Sequence, residues 1–221
     1  MTPARTPGGR REPGLTAVAQ DYLKLVWTLQ EWSPGPVTTS VLAERLGVGA
    51  PTVSETVARL VARGWVEHER YGGVSLTPDG QALALATVRR HRLIETWLVE
   101  HLGYGWDEVH DEAEVLEHAV SDVFVERVDA RLGRPVRDPH GDPVPAADGT
   151  VRRPDAVPLV ELAPGERGRV ARVSDEDPEV LRECTAAGVG LDTLLTAPVS
   201  LSAAAVRAIR VVRADTPAVG R

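Results

Sequence analysis

VTTSVLAERLGVGAPTVSETVARLVARGWVEHERYGGVSLTPDG, residues 37–80, is the stretch that decides the fold. Val41, Leu42 and Leu46 give a short helix, from Thr39 or Ser40 to Leu46, a buried side. Gly47 to Ala50 reverses the chain. A third helix is predicted across Pro51 to Val61, with proline tolerated in the first turn and an apolar stripe of Val53, Val57, Leu60 and Val61. Gly64 suits a left-handed cap. Trp65 to His68 and Gly73 to Leu76 then read as a short hairpin, and Thr77-Pro78-Asp79-Gly80 opens a long helix from about Gln81 to His101.

Upstream, Leu15, Val18, Ala19, Tyr22, Leu23, Val26 and Leu29 recur at helical spacing up to about Glu31. The unit is therefore helix, helix, turn, helix, hairpin: a winged helix-turn-helix, whose third helix suits the DNA major groove. A protein-interaction module built on the same scaffold is the competing reading.

Further out, residues 1–14 are rich in Pro, Gly and Arg and read as a flexible arm. One helix is expected from Val109 or Asp111 to Leu132, along the stripe of Val115, Leu116, Ala119, Val120, Val123, Phe124 and Val128. Between Gly133 and Pro158 the chain turns to Pro, Gly, Asp and Arg and reads as a connection. In the tail, residues 159–175 suggest strand, turn and strand, Pro178 to Ala187 a short helix and Ala208 to Val212 a last strand, compatible with a small β-barrel. The fold class is mainly α. The expected domains are a winged helix-turn-helix at 15–78, a helical domain at 79–145, a linker at 146–158 and the tail domain at 159–221.

Composition narrows the function. The 221 residues carry 25 Lys+Arg against 32 Asp+Glu, net −7, which alone argues against nucleic acid. The charge is uneven: residues 1–90 hold ten basic and eight acidic side chains, net +2, leaving 25 − 10 = 15 basic and 32 − 8 = 24 acidic beyond, net −9. The single cysteine, Cys184, excludes an intramolecular disulfide and any multi-cysteine metal centre. Without a long apolar run or an apolar leader, a cytoplasmic protein with no membrane partner is expected. No glycine-rich phosphate loop, HExxH or serine-nucleophile motif points to an enzyme.

On the third helix, Thr52, Ser54, Glu55, Thr56 and Arg59 are expected on the side away from the apolar stripe, where short hydroxyl side chains approach phosphates and base edges closely. Thr39, Ala50 and Pro51 at the two helix starts and Arg70 in the wing complete the candidate DNA contacts.

The second chemical signal is HDEAEVLEH, residues 110–118. His110, Glu114 and His118 stand at i, i+4 and i+8, and Glu114, Glu117 and His118 can converge on one cation. His91 and Glu95 form another i, i+4 pair on the preceding helix, and Asp21 on the first helix is a further candidate. The plain alternative is a solvated acidic face. Carboxylates with imidazoles and no thiolate suit Mn²⁺ or Fe²⁺, with Zn²⁺ and Co²⁺ competing by raw affinity.

DYLKLVW (21–27), LAERLGVGAPTVSETVARLVARGWV (42–66), LTPDGQALA (76–84), RRHRLIE (89–95), VHDEAEVLEHAVSD (109–122) and DPHGDPVP (138–145) together resemble the DtxR family of metal-dependent transcriptional repressors, in its three-domain form. The resemblance implies a winged DNA-binding domain, a helical domain for dimerisation and metal, and a C-terminal SH3-like β-barrel. It implies homodimers that bind double-stranded palindromic operators once Fe²⁺ or Mn²⁺ is loaded. Asp21, Glu114, Glu117 and His118 correspond to one metal site, and His91, Glu95 and His110 to an ancillary one. Iron-responsive members usually carry methionine and cysteine at the positions of Asp21 and Glu114, so the oxygen ligands here imply a Mn²⁺-sensing regulator of manganese homeostasis. Ser174, Asp175 and Asp177 are candidate additions from the tail domain.

Overall fold

The computed structural model describes residues 15–33, 35–69 and 72–214. These form two compact units, one reaching to Arg90 with Ala147–Gly149, the other His91–Ala146 with Thr150 onward; the division falls inside the fourth helix.

The first unit holds α1 (Ala17–Trp32), α2 (Thr39–Leu46), α3 (Ala50–Ala62), β1 (Val66–His68), β2 (Val74–Leu76) and the start of α4 (Pro78–Trp97). Hydroxyl caps start the first two helices: Thr16 accepts from the Ala19 amide and Thr38 from that of Val41. Gly47 ends α2 at φ 64° and Gly64 follows α3 at φ 72°, a left-handed backbone that glycine adopts without penalty. Leu23, Leu42, Val53 and Val57 are the fully buried centre on which the three helices meet. β1 and β2 pair antiparallel, with Val66 opposite Leu76. The wing is pinned to α4 where Thr77 donates from its hydroxyl to the Gly64 carbonyl and from its amide to that of Trp65. A Cβ at Gly80 would lie 1.7 Å from the Trp65 carbonyl oxygen, so no larger residue fits there.

In the second unit α4 ends in a π-helical turn, Leu98–Leu102, closed by Gly103 at φ 76°. The single helix expected over 109–132 is two helices, α5 (Val109–Ala119) and α6 (Asp122–Arg131). Val120 turns extended, and Ser121 caps α6 by accepting from the Phe124 amide. The break also undoes the expected stripe: Val115, Val123 and Phe124 are exposed, whereas Val109, Ala113, Val125 and Val128 are buried.

The tail folds into β3 (Val157–Pro158), β4 (Arg167–Val173), α7 (Pro178–Ala186), β5 (Leu194–Thr196), α8 (Ala203–Ala208) and β6 (Ile209–Ala214). The strands make one antiparallel sheet in the order β3-β6-β4-β5, packed through Val170, Val173, Leu181, Cys184, Ile209 and Val211. Among the described residues the sheet is open, in place of the small closed barrel expected from sequence. The strand expected from Leu159 is a 3₁₀ turn, and the two-residue β3 ends at Pro158, which has no N–H for a ladder. No described helix is long and apolar enough to cross a membrane.

Candidate metal centre and nucleic-acid interface

α4 sends His91 and Glu95 inward from one face, one helical turn apart. Both are buried, and Glu95, 1% exposed, is the hub of the cluster. Its Oε1 lies 3.0 Å from His91 Nε2 and 3.5 Å from His110 Nδ1 on α5. Asp175, in the turn after β4, brings Oδ2 within 3.1 Å of the same His110 nitrogen. His91, Glu95, His110 and Asp175 thus place one ligand atom each within 4.8 Å of one another. On the other edge of His91, Nδ1 stands 2.7 Å from Glu117 Oε2, and His91, Glu114 and Glu117 form a second such group. His118 Nε2 is 3.3 Å from Glu117 Oε1.

Asp138 and His140, absent from the sequence-derived ligand set, make a third buried group with Glu95. The Asp138 carboxylate accepts the amides of His140 and Asp142, both at 2.9 Å, which curls DPHGDP into a tight loop. His140 donates from Nε2 to the Trp106 carbonyl at 2.6 Å, which turns Nδ1 toward Glu95 Oε2 at 3.9 Å. That buried nitrogen has no hydrogen-bond partner. An imidazole fixed through one nitrogen, with the other facing a carboxylate just beyond hydrogen-bond range, is how a ligand stands around a cation. The legible signal was an Asp-x-His pair inside a Pro- and Gly-rich connection.

The loop is held from behind by a buried ionic network. Arg92 donates to the Pro143 carbonyl at 2.7 Å and to Asp142 at 3.0 Å, and Arg172 of β4 donates to the other oxygen of Asp142. Gly141, at φ 88°, lets the loop lie on β4, where a Cβ would meet the Ala171 carbonyl at 2.0 Å.

Electrostatics agree with a cation-binding role. Burial works to raise the Glu95 carboxyl, yet the charge of His91 and hydrogen bonds from His110 and His91 hold it well below the usual carboxylate range. Burial opposes a charged His110, but the Asp175 and Glu95 carboxylates beside its Nδ1 outweigh it and raise the imidazole to about 11. Against its own burial, Asp175 is drawn down to about 2, chiefly by its hydrogen bond with His110. Burial, Asp142 and Glu95 push Asp138 up to about 8. Without a metal, the carboxylates are balanced by protons on imidazoles. A divalent cation would supply that positive charge at one point, and the hard oxygen and imidazole donors present fit Mn²⁺ or Fe²⁺. Cys184 is fully buried in the sheet core.

The remaining sequence-derived ligand, Asp21, lies half-buried on α1 of the first unit. Of the candidate DNA contacts, Ala50, Pro51, Thr52, Ser54, Glu55 and Arg59 are exposed along one side of α3, and Thr39 is half-buried at the start of α2. Thr56 does not join them. At i+3 from Val53 it turns into the core, 4% exposed, and accepts from Arg59 Nη2 at 3.0 Å. Conversely Val61, expected in the apolar stripe, is 43% exposed. Arg70 lies outside the described residues. Gly49 offers α3 no side-chain cap, and the Val53 amide closes the first turn on the Gly49 carbonyl at 3.2 Å.

A winged helix-turn-helix on one unit and a hard-donor cation cluster on the other define a class, that of metal-dependent DNA-binding regulators. A family model described as the iron-dependent repressor N-terminal DNA-binding domain matches residues 14–74, and one described as the iron-dependent repressor metal-binding and dimerisation domain matches residues 77–146. The diphtheria toxin repressor of Corynebacterium efficiens is 34% identical over 189 residues, covering 81% of this chain and 82% of its own. The iron-dependent repressor IdeR of Mycobacterium leprae is 35% identical over 158 residues, 68% of each chain. Among solved structures, a manganese-dependent transcriptional repressor in complex with manganese is 49% identical with a TM-score of 0.82, covering 89% of this chain and all of the other. The chain belongs to the DtxR family of metal-dependent transcriptional repressors, a family of regulators and not of enzymes.

Proposed function

We propose that this repressor senses Mn²⁺ and, when loaded, binds palindromic operators as a homodimer in the cytoplasm to control manganese homeostasis. The observation that carries the reading is the donor set: carboxylate and imidazole throughout, with the one thiol of the chain in the sheet core. The 49% identical manganese-dependent repressor supports it. Asp21, Glu114, Glu117 and His118 form the proposed primary ligand set. His91, Glu95, His110 and Asp175, extended by Asp138 and His140, form the ancillary one. Because Asp21 belongs to the DNA-binding unit, metal and operator affinity are linked, each raising the other by the same factor. Thr39, Ala50, Pro51, Thr52, Ser54, Glu55, Arg59 and Arg70 are the proposed DNA contacts.

Exposed Val115, Val123 and Phe124 on α5 and α6 are the proposed dimer surface. The sheet with α7 and α8 is proposed as the SH3-like domain of the three-domain family members. A second reading, Fe²⁺ sensing, is favoured by the iron-dependent relatives; Zn²⁺ and Co²⁺ occupy the sites in vitro under either reading. Anisotropy titration of a palindromic promoter fragment at fixed salt separates the two. The manganese reading expects tight binding at Mn²⁺ concentrations where anaerobic Fe²⁺ fails, and the reverse order overturns it. Metal binding without sequence-selective DNA binding would make the protein a metal-binding interaction module.

A further inference from the structure

The second unit contains a cleft of about 390 Å³ that the metal and DNA reading does not use. Four arginines reach it from three separate segments: Arg137 from the loop before DPHGDP, Arg152 and Arg153 from the connection, and Arg169 from β4. Asp192 is the one carboxylate in the lining. It is engaged twice, taking the Arg137 fork on its side chain and an Arg169 donor, at 2.6 Å, on its carbonyl. Four arginines against one carboxylate line the cleft, in a half of the chain whose net charge is −9. The floor is apolar, formed by the exposed Val136 and Val212.

We propose that this cleft binds a small phosphate monoester, with the phosphate held by the arginines and the organic body on the valine floor. Guanidinium forks match the oxygens of a phosphate two at a time, and its negative charge complements the arginines. The volume is that of an ordinary small-ligand site. Asp192 orients Arg137 and Arg169 beforehand, which lowers the ordering cost of capture.

The test is calorimetric titration of the full-length protein, stripped of metal and dialysed free of chelator, with glycerol 3-phosphate, 5′-AMP and inorganic phosphate at constant ionic strength. The expected result is saturable binding of an ester, one per subunit, weakened at least about tenfold in Arg152→Ala/Arg153→Ala. Both side chains are exposed, so the variant keeps its melting temperature and its metal-dependent DNA binding. Arg213→Ala, which removes an exposed arginine of the same sheet paired with Glu166, leaves ester affinity unchanged. No saturation by about 10 mM, equal affinity in the double variant, or equal loss in Arg213→Ala overturns the proposal. Random-sequence duplex DNA is the last titrant. Duplex binding that disappears in the double variant, with no ester bound, assigns the arginines to a nucleic acid backbone and overturns it as well.

Discussion

Asp142→Ala probes how the DPHGDP loop is held against α4 and β4. The Asp142 carboxylate receives charged donors from Arg92, at 3.0 Å, and Arg172, and all three side chains are under a tenth exposed. A hydrogen bond to a charged group contributes about 1.5–3 kcal/mol, so two give about 3–6 kcal/mol. Breaking one partner out of a buried ion network typically costs about 3–5 kcal/mol, because the other charges stay buried. Asp138 still faces Arg92 at 3.5 Å, which keeps the loss near the middle of that range and below its upper end. About 4 kcal/mol in a chain of this size corresponds to a fall in melting temperature of about 8–16 °C. Calorimetry of the metal-free protein reads this directly, and hydrogen exchange at residues 138–144 and along β4 should show the loss there. Asp142→Asn, which keeps one acceptor oxygen, should lose roughly half as much. A drop under about 2 °C for Asp142→Ala would refute the view that this network fixes the loop carrying His140.

Three further outcomes follow from particular contacts. Thr56→Val keeps the volume of a buried side chain and should change operator affinity by less than about threefold, whereas Arg59→Ala, on the exposed side of α3, should cost about 1–3 kcal/mol in anisotropy titrations if it meets a base. Phe124→Glu places a charge on the exposed apolar face of α5 and α6 and should shift the dimer toward monomer in light scattering, with the melting temperature of the metal-free monomer little changed. His110 holds its proton up to about 11 in the metal-free protein, so it is charged at pH 7 and coordination must displace that proton. Calorimetry in buffers of different ionisation enthalpy should therefore show net proton release on filling the ancillary site, and His110→Ala should lower that release by about one proton per subunit.

The winged module was legible because its turns and core face carry their own chemistry: glycines at positive φ after α2 and α3, and a 53, 57, 60 stripe in α3. Thr56 was misplaced because its hydroxyl suggested solvent, while its helical phase put it beside Val53, and Arg59 satisfies the buried oxygen. The break between α5 and α6 was hidden by apolar residues on both sides of it, and Ser121 was its only local mark. Spacing alone brought out His91 with Glu95 and His110 with Glu114. Asp138, His140 and Asp175 reach the cluster from loops, where no helical period announces a shared face, so the sequence placed Asp175 only within a range and passed over the other two. The tail was read as a barrel because its alternating valines are equally compatible with an open sheet.

The central claim is that manganese occupancy makes this protein bind its operator. Its most direct test is the operator affinity of the wild-type chain and of Glu117→Gln, with and without Mn²⁺, at one salt concentration. Glu117 is fully buried, 2.7 Å from His91 and 3.3 Å from His118, and its loss removes a carboxylate from the proposed primary site with little change in shape. The account predicts that Mn²⁺ raises wild-type affinity at least about a hundredfold and that Glu117→Gln, still folded, loses most of that gain. Operator binding of equal strength with manganese and with chelator, or full manganese activation of Glu117→Gln, would contradict it.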